Sequence, residues 1–136
     1  SDAEYDEVMS FEGLNWRDVR FDLVERAADA VFWFAPEAFC YYLPGLLAAG
    51  IKEKRTDSNA YDALIGMLER SPEPDYWDDF FRPRWTLLTV EEIDAVSAWV
   101  RWLALVESDV AGGDVAAQVD DALTMLRLVR EEEARP

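Results

Sequence analysis

The chain has no histidine in its 136 residues. That absence excludes imidazole general bases, Ser-His and Cys-His nucleophile pairs, and every His-ligated metal site. The single cysteine, Cys40, excludes an internal disulfide and a thiolate zinc cage. Set between Phe39 and Tyr41, it reads as a buried, unreactive thiol suited to a reducing compartment. Basic residues are scarce, 13 against 29 acidic ones, for a formal net charge of -16. Binding a nucleic acid or an anionic lipid surface requires a cationic patch that displaces counterions, so both drop out as partners. There is no phosphate-binding GxxxxGK[ST] loop and no glycine-rich dinucleotide turn. The opening SDAEYDEVMSFEG lacks the basic stretch, apolar run and small-residue cleavage site of a secretory signal, and a cytoplasmic location is expected.

Long hydrophobic runs are missing as well. The nearest is FWFAPEAFCYYLPGLLAAG, Phe32 to Gly50, which is short for a bilayer, holds Glu37 and two prolines, and lacks basic flanks at its start. It is read as soluble core. What the chain does have is apolar mass: 51% of residues are hydrophobic and six are Trp, far too many for a disordered acidic tail. A chain of this length buries roughly two thirds of its unfolded surface, so one domain around one core is expected.

The hydrophobic spacing predicts an all-α bundle of about five helices, with no strand alternation and no internal repeat. Residues 1–13 form a loose acidic arm that docks through Phe11. Helix one starts at the cap residue Asn15 and carries Trp16, Val19, Leu23, Ala27, Ala30 and Phe34 inward. Helix two starts at Pro36 and Glu37 and runs toward Gly50, with Pro44 kinking or breaking it near Tyr42. Helix three starts near Ser58 or Asn59 and buries Tyr61, Leu64, Ile65 and Leu68. SPEPDYWDDFFRPRWTLL, residues 71–88, is then a long irregular aromatic loop between helices three and four. Loops of that length are often functional, and it is a binding-loop candidate. Its rings, Tyr76, Trp77, Phe80, Phe81 and Trp85, are also read as a lid packed on the helices. Helix four opens on a capping box, Thr89 and Glu92, with one stripe of Ile93, Val96, Val100 and Leu103 and a second of Ala95, Trp99, Trp102 and Val106. After a break at Gly112 and Gly113, Asp114 caps helix five, which buries Val115, Val119, Ala122, Leu126 and Val129. The acids of residues 131–136 oppose the helix dipole, so this tail frays.

Without imidazole, the chemistry left is that of carboxylates. Asp18, Asp22, Glu25 and Asp29, spaced 4, 3 and 4, stack along one side of helix one. With Arg17, Arg20 and Arg26 beside them, they read first as a solvated, salt-bridged face. A second reading adds Glu91 and Asp94 and makes the acids ligands of Mg²⁺, as in a nucleotide hydrolase; the paired acid motifs of helical pyrophosphatases are absent. A third makes the row a docking face for Arg and Lys side chains. There an exposed Trp77, beside Asp75, Asp78 and Asp79, supplies the aromatic anchor that interfaces require.

DAVFWFAPEAFCYYLPGLLAAGI, Asp29 to Ile51, resembles the signature of an uncharacterised family of small bacterial proteins, a domain of unknown function. In that family Pro-Glu-Ala-Phe, a variable residue, Tyr-Tyr-Leu-Pro and a Leu-rich stretch follow a helix, here at Pro36, Glu37, Ala38, Phe39, Tyr41, Tyr42, Leu43 and Pro44. LLTVEEIDAVSAWVRWLA is similar to its second block. Ala35 departs from the pattern, where a small hydroxyl residue would cap better. The resemblance implies bacterial origin and a shared fold, and brings no catalytic residues.

The expectation is therefore a non-enzymatic acidic protein of immunity or antitoxin type, without cofactor or metal. Its partner is a basic protein, bound through Asp18, Asp22, Glu25, Asp29, Asp75, Trp77, Asp78 and Asp79. A carboxylate-metal hydrolase and a DNA-mimicking inhibitor stand as alternatives. Charge of this size also keeps a Trp-rich chain soluble, with no partner required.

Overall fold

The structure is a computed structural model that describes residues 2–111 and 114–133. Among the described residues it is all-α, with eight helices and no strand. They are α1 (Asp2–Met9), α2 (Phe21–Arg26), α3 (Ala30–Trp33), α4 (Pro36–Glu53), α5 (Asn59–Met67), α6 (Phe81–Trp85), α7 (Val90–Ala111) and α8 (Asp114–Glu133), with 3-10 turns at Trp16–Asp18 and Pro74–Tyr76. The chain divides into two compact units, Ser1–Leu64 and Ile65–Pro136, and the division falls inside α5.

In the first unit α4 is the central element. Pro36 sits in its first turn, where its missing N–H is no loss, and Glu37 complements the positive end of the dipole. Pro44 removes one backbone hydrogen bond, yet α4 runs as one element to Glu53, so of the expected kink or break near Tyr42 the break does not occur. It ends on Lys54 in the left-handed conformation, φ 55°, with the Arg55 N–H reaching back to the Gly50 carbonyl at 2.9 Å. The arm is not loose: its first residues form α1, and Phe11 is buried as expected. Phe11 meets Phe34 edge-on, with ring centroids 5.1 Å apart, and its carbonyl accepts the Tyr42 hydroxyl at 2.7 Å.

The expected first long helix is three short pieces instead. Asn15 does cap, accepting the Arg17 N–H at 2.9 Å, but the 3-10 turn ends at Asp18, and Val19 and Arg20 are extended before α2. The cause is tertiary. The Trp16 carbonyl oxygen would be only 2.2 Å from a Cβ on Gly45, so the turn is seated against α4 through the missing side chain. The inward residues are nonetheless those of the apolar period: Val19, Leu23, Ala27, Ala30 and Phe34 are buried and Trp16 is half-buried.

Helix α5 starts as expected, with the Ser58 hydroxyl accepting the Ala60 N–H at 3.1 Å, and Tyr61, Leu64, Ile65 and Leu68 are all buried. In the second unit α7 and α8 pack along each other. The Thr89–Glu92 capping box is present in both directions, Thr89 N–H to Glu92 Oε1 at 2.9 Å and Glu92 N–H to Thr89 Oγ1 at 3.2 Å. Ile93, Val96, Val100 and Leu103 are buried, and so is Trp99; Ala95 of the second stripe is exposed. On α8, Val119, Ala122, Met125, Leu126 and Val129 are buried. The Gly112–Gly113 break and the side chains of Asp114 and Val115 lie outside the described ones. Of the expected frayed tail, Glu131 to Glu133 are in α8 and residues 134–136 lie outside the described ones. No helix among the described residues is long and apolar enough to cross a membrane.

Candidate partner-binding surface

Residues 71–88, expected as a long irregular loop, hold the 3-10 turn Pro74–Tyr76 and the short helix α6 between irregular stretches. An alternation of aromatic and basic residues braces them. Trp77, Phe81 and Trp85 recur at helical spacing and are buried. Trp77 meets Phe81 edge-on at 5.2 Å between centroids, and Phe81 stacks on Trp85 at 6.0 Å. Three guanidinium groups cover these and the neighbouring rings: Arg82 over Trp77 at 5.3 Å, Arg70 over Phe81 at 5.7 Å and Arg84 over Phe80 at 4.0 Å. The basic residues of the segment are thus spent on its own support.

The same groups pin the turn. The Trp77 indole N–H donates to the Ser71 carbonyl at 2.9 Å, Arg82 Nη2 donates to the Pro74 carbonyl, and the Ser71 hydroxyl accepts the Glu73 N–H at 3.1 Å. Asp78 opens α6, its Oδ1 accepting the Phe81 N–H at 2.7 Å, and lies 3.3 Å from Arg70 Nε. Outward from this base stands Tyr76, 76% exposed, flanked by Glu73, Asp75 and Asp79, all exposed. Among the described residues the Glu73, Asp75 and Asp79 carboxylates have no ion-pair or hydrogen-bond partner.

Two expectations are corrected here. Trp77 is only 5% exposed, so it cannot be the anchor presented to a partner; burial of its large ring and satisfaction of its N–H by Ser71 place it underneath. The ring on the outside is its neighbour Tyr76. The spacing held the signal, because Trp77 shares a helical stripe with Phe81 and Trp85 and Tyr76 does not.

The second correction concerns the row Asp18, Asp22, Glu25 and Asp29. All four are exposed, but the chain between them bends, Asp18 in a 3-10 turn, Asp22 and Glu25 on α2, and Asp29 ahead of α3, so they do not stack along one helix. Their salt partners are not Arg17, Arg20 and Arg26: Glu25 pairs with Arg55 at 3.0 Å, and Arg17 lies over the Trp16 ring at 4.4 Å. Asp94, the other candidate ligand, takes Arg130 through 2.8 and 3.4 Å contacts. Among the described residues no three Cys, Asp or Glu side chains are gathered closely enough to hold a metal ion. Compared with known proteins, the chain matches no family model, no curated protein and no solved structure.

Proposed function

We propose that this protein is a non-enzymatic binding protein, of immunity or antitoxin type, that occludes a basic protein partner with the surface around Tyr76. The observation that carries the reading is a fully presented aromatic ring among uncompensated carboxylates on a braced support. Interfaces draw much of their energy from one aromatic anchor in a pocket, and Tyr orders few torsions when it docks. Carboxylates around that ring pair with Arg and Lys in charge-assisted hydrogen bonds, and a chain of net charge -16 speeds encounter with a cationic surface. Asp75, Asp78 and Asp79 belong to this surface, with Tyr76 in the place expected of Trp77. Asp18, Asp22, Glu25 and Asp29 contribute long-range field to the encounter.

The test is affinity capture from the source organism on two immobilised proteins, the wild type and a Tyr76→Ala, Asp75→Asn, Asp79→Asn variant. A basic protein held by the first and released by the second is expected. Capture of no basic protein, or equal capture by both, removes the reading.

A further inference from the structure

The basic minority is unevenly used. Among the described residues Arg55, Arg70, Arg127 and Arg130 have carboxylate partners, and Arg82 and Arg84 donate to backbone carbonyls. Six others, Arg17, Arg20, Arg26, Lys52, Lys54 and Arg101, have no carboxylate within ion-pair reach among the described residues, and Arg17, Arg20 and Lys52 are the ones that come together. These three line one hollow of about 510 Å³, where the Trp16–Phe21 stretch meets the last turns of α4. The hollow also presents Asp18 and Glu53, and Val19 and Phe21 close its floor as buried apolar residues. Three unpaired cations from two separate chain segments that share one hollow give it the charge an anion requires.

We propose that this hollow binds a small phosphorylated polyol, such as a sugar phosphate. Two guanidinium forks and an ammonium suit the three outer oxygens of a phosphoryl group, Arg in bidentate fashion and Lys as a point charge. The guanidinium of Arg17 is steadied by its stacking on Trp16. Asp18 and Glu53 repel the phosphoryl end but accept hydrogen bonds from hydroxyls, which sets the orientation of the rest of the ligand. The volume lies within the 300–1,000 Å³ range usual for small-molecule sites, with room for a pentose or hexose phosphate. The chain's net charge opposes the anion, but at physiological ionic strength charges beyond about 8 Å are largely screened, so the three near cations dominate. A polyanionic strand would meet the acids outside that radius; a small ligand does not.

The test is a titration of the ¹⁵N-labelled full chain with ribose 5-phosphate, and separately with inorganic phosphate and with ribose, followed by amide shifts. Saturable shifts confined to residues 17–21 and 49–53 are expected with ribose 5-phosphate, several-fold weaker binding with phosphate, and none with ribose. The double variant Arg20→Gln, Lys52→Gln alters only exposed side chains and weakens ribose 5-phosphate binding by about tenfold or more. The proposal is overturned by the absence of saturable shifts in those segments, by binding of ribose 5-phosphate no tighter than phosphate, or by an unchanged affinity in the double variant.

Discussion

Up to Leu64 the chain is a set of short segments packed about one long helix, and beyond it an aromatic turn and short helix precede two long helices that pack along each other. The first unit carries thirteen acids and six bases, the second sixteen and seven, so charge hardly separates them. Packing does. The first unit depends on close backbone approach at small residues, with the Trp16 carbonyl against Gly45 and the Tyr61 hydroxyl against Gly50. Large rings are buried in both, Phe11, Phe21, Phe34, Phe39 and Tyr61 in the first and Trp77, Phe81, Trp85 and Trp99 in the second, but among the described residues no glycine of the second is approached so closely. The first core is specified by missing side chains as well as by rings, the second by rings. An added methyl therefore tells the two apart.

The largest expected effect is in the second unit. Trp85→Ala removes a ring that is 1% exposed and stacked on Phe81, and lowers stability by about 4 kcal/mol, as read from denaturant unfolding. Hydrogen exchange then quickens most at the amides of α6 to α8. A uniform acceleration that includes Phe39 to Leu47 would erase the distinction between the units.

Next comes Gly45→Ala in the first. An added methyl improves helix propensity by about 1 kcal/mol, but here it meets a backbone carbonyl that cannot rotate away. A net loss of about 2 kcal/mol is expected, with exchange quickened first at residues 16–20. A stabilised Gly45→Ala would show that the close approach does not shape this unit.

These two sites also explain what could be read from sequence. Helix α7, its capping box, α5 and the inward faces of α4 and α8 follow from periodicity and cap chemistry, which act within a few residues. The fragmentation of the Asn15–Phe34 stretch does not, because its cause is a contact with Gly45, far away in sequence. Periodicity still found the inward residues, since burial selects them whether or not the helix is continuous. The row of acids failed with the helix that was to align them. At residues 71–88 the three prolines argued against regular structure, whereas arginines over aromatic rings supply short-range order that no helix or strand pattern reveals. The exchange of Trp77 for Tyr76 as the outward ring is the same lesson at one residue's resolution.

A smaller effect, of opposite sign, sits at the end of α4. Lys54 adopts φ 55°, a conformation that strains any residue with a Cβ, and its side chain is exposed. Lys54→Gly relieves that strain and is expected to raise stability by about 0.5–1 kcal/mol, seen as a higher unfolding midpoint. A loss of stability would mean that the lysine side chain does more than tolerate its position.

The smallest effect separates the units by pH. On α1 the Glu7 carboxyl is held above the usual carboxylate range, first by burial, then by the nearby charges of Asp29 and Glu4, against a lowering hydrogen bond from the Asp29 backbone. One of its oxygens is buried without a hydrogen-bond partner. A carboxyl that holds its proton more tightly when folded favours the folded state at low pH, and that contribution is lost as pH rises from the ordinary glutamate value through the raised one. Above that window the charged form burdens the first unit. Glu7→Gln keeps an acceptor for the Asp29 N–H but carries no charge, so it should be more stable than wild type near neutrality, and the gain should vanish as pH falls below the ordinary glutamate range. Parallel unfolding curves of the two proteins against pH measure this directly. A difference that stays constant across the window would assign the gain to packing and take the charge of Glu7 out of the account of α1.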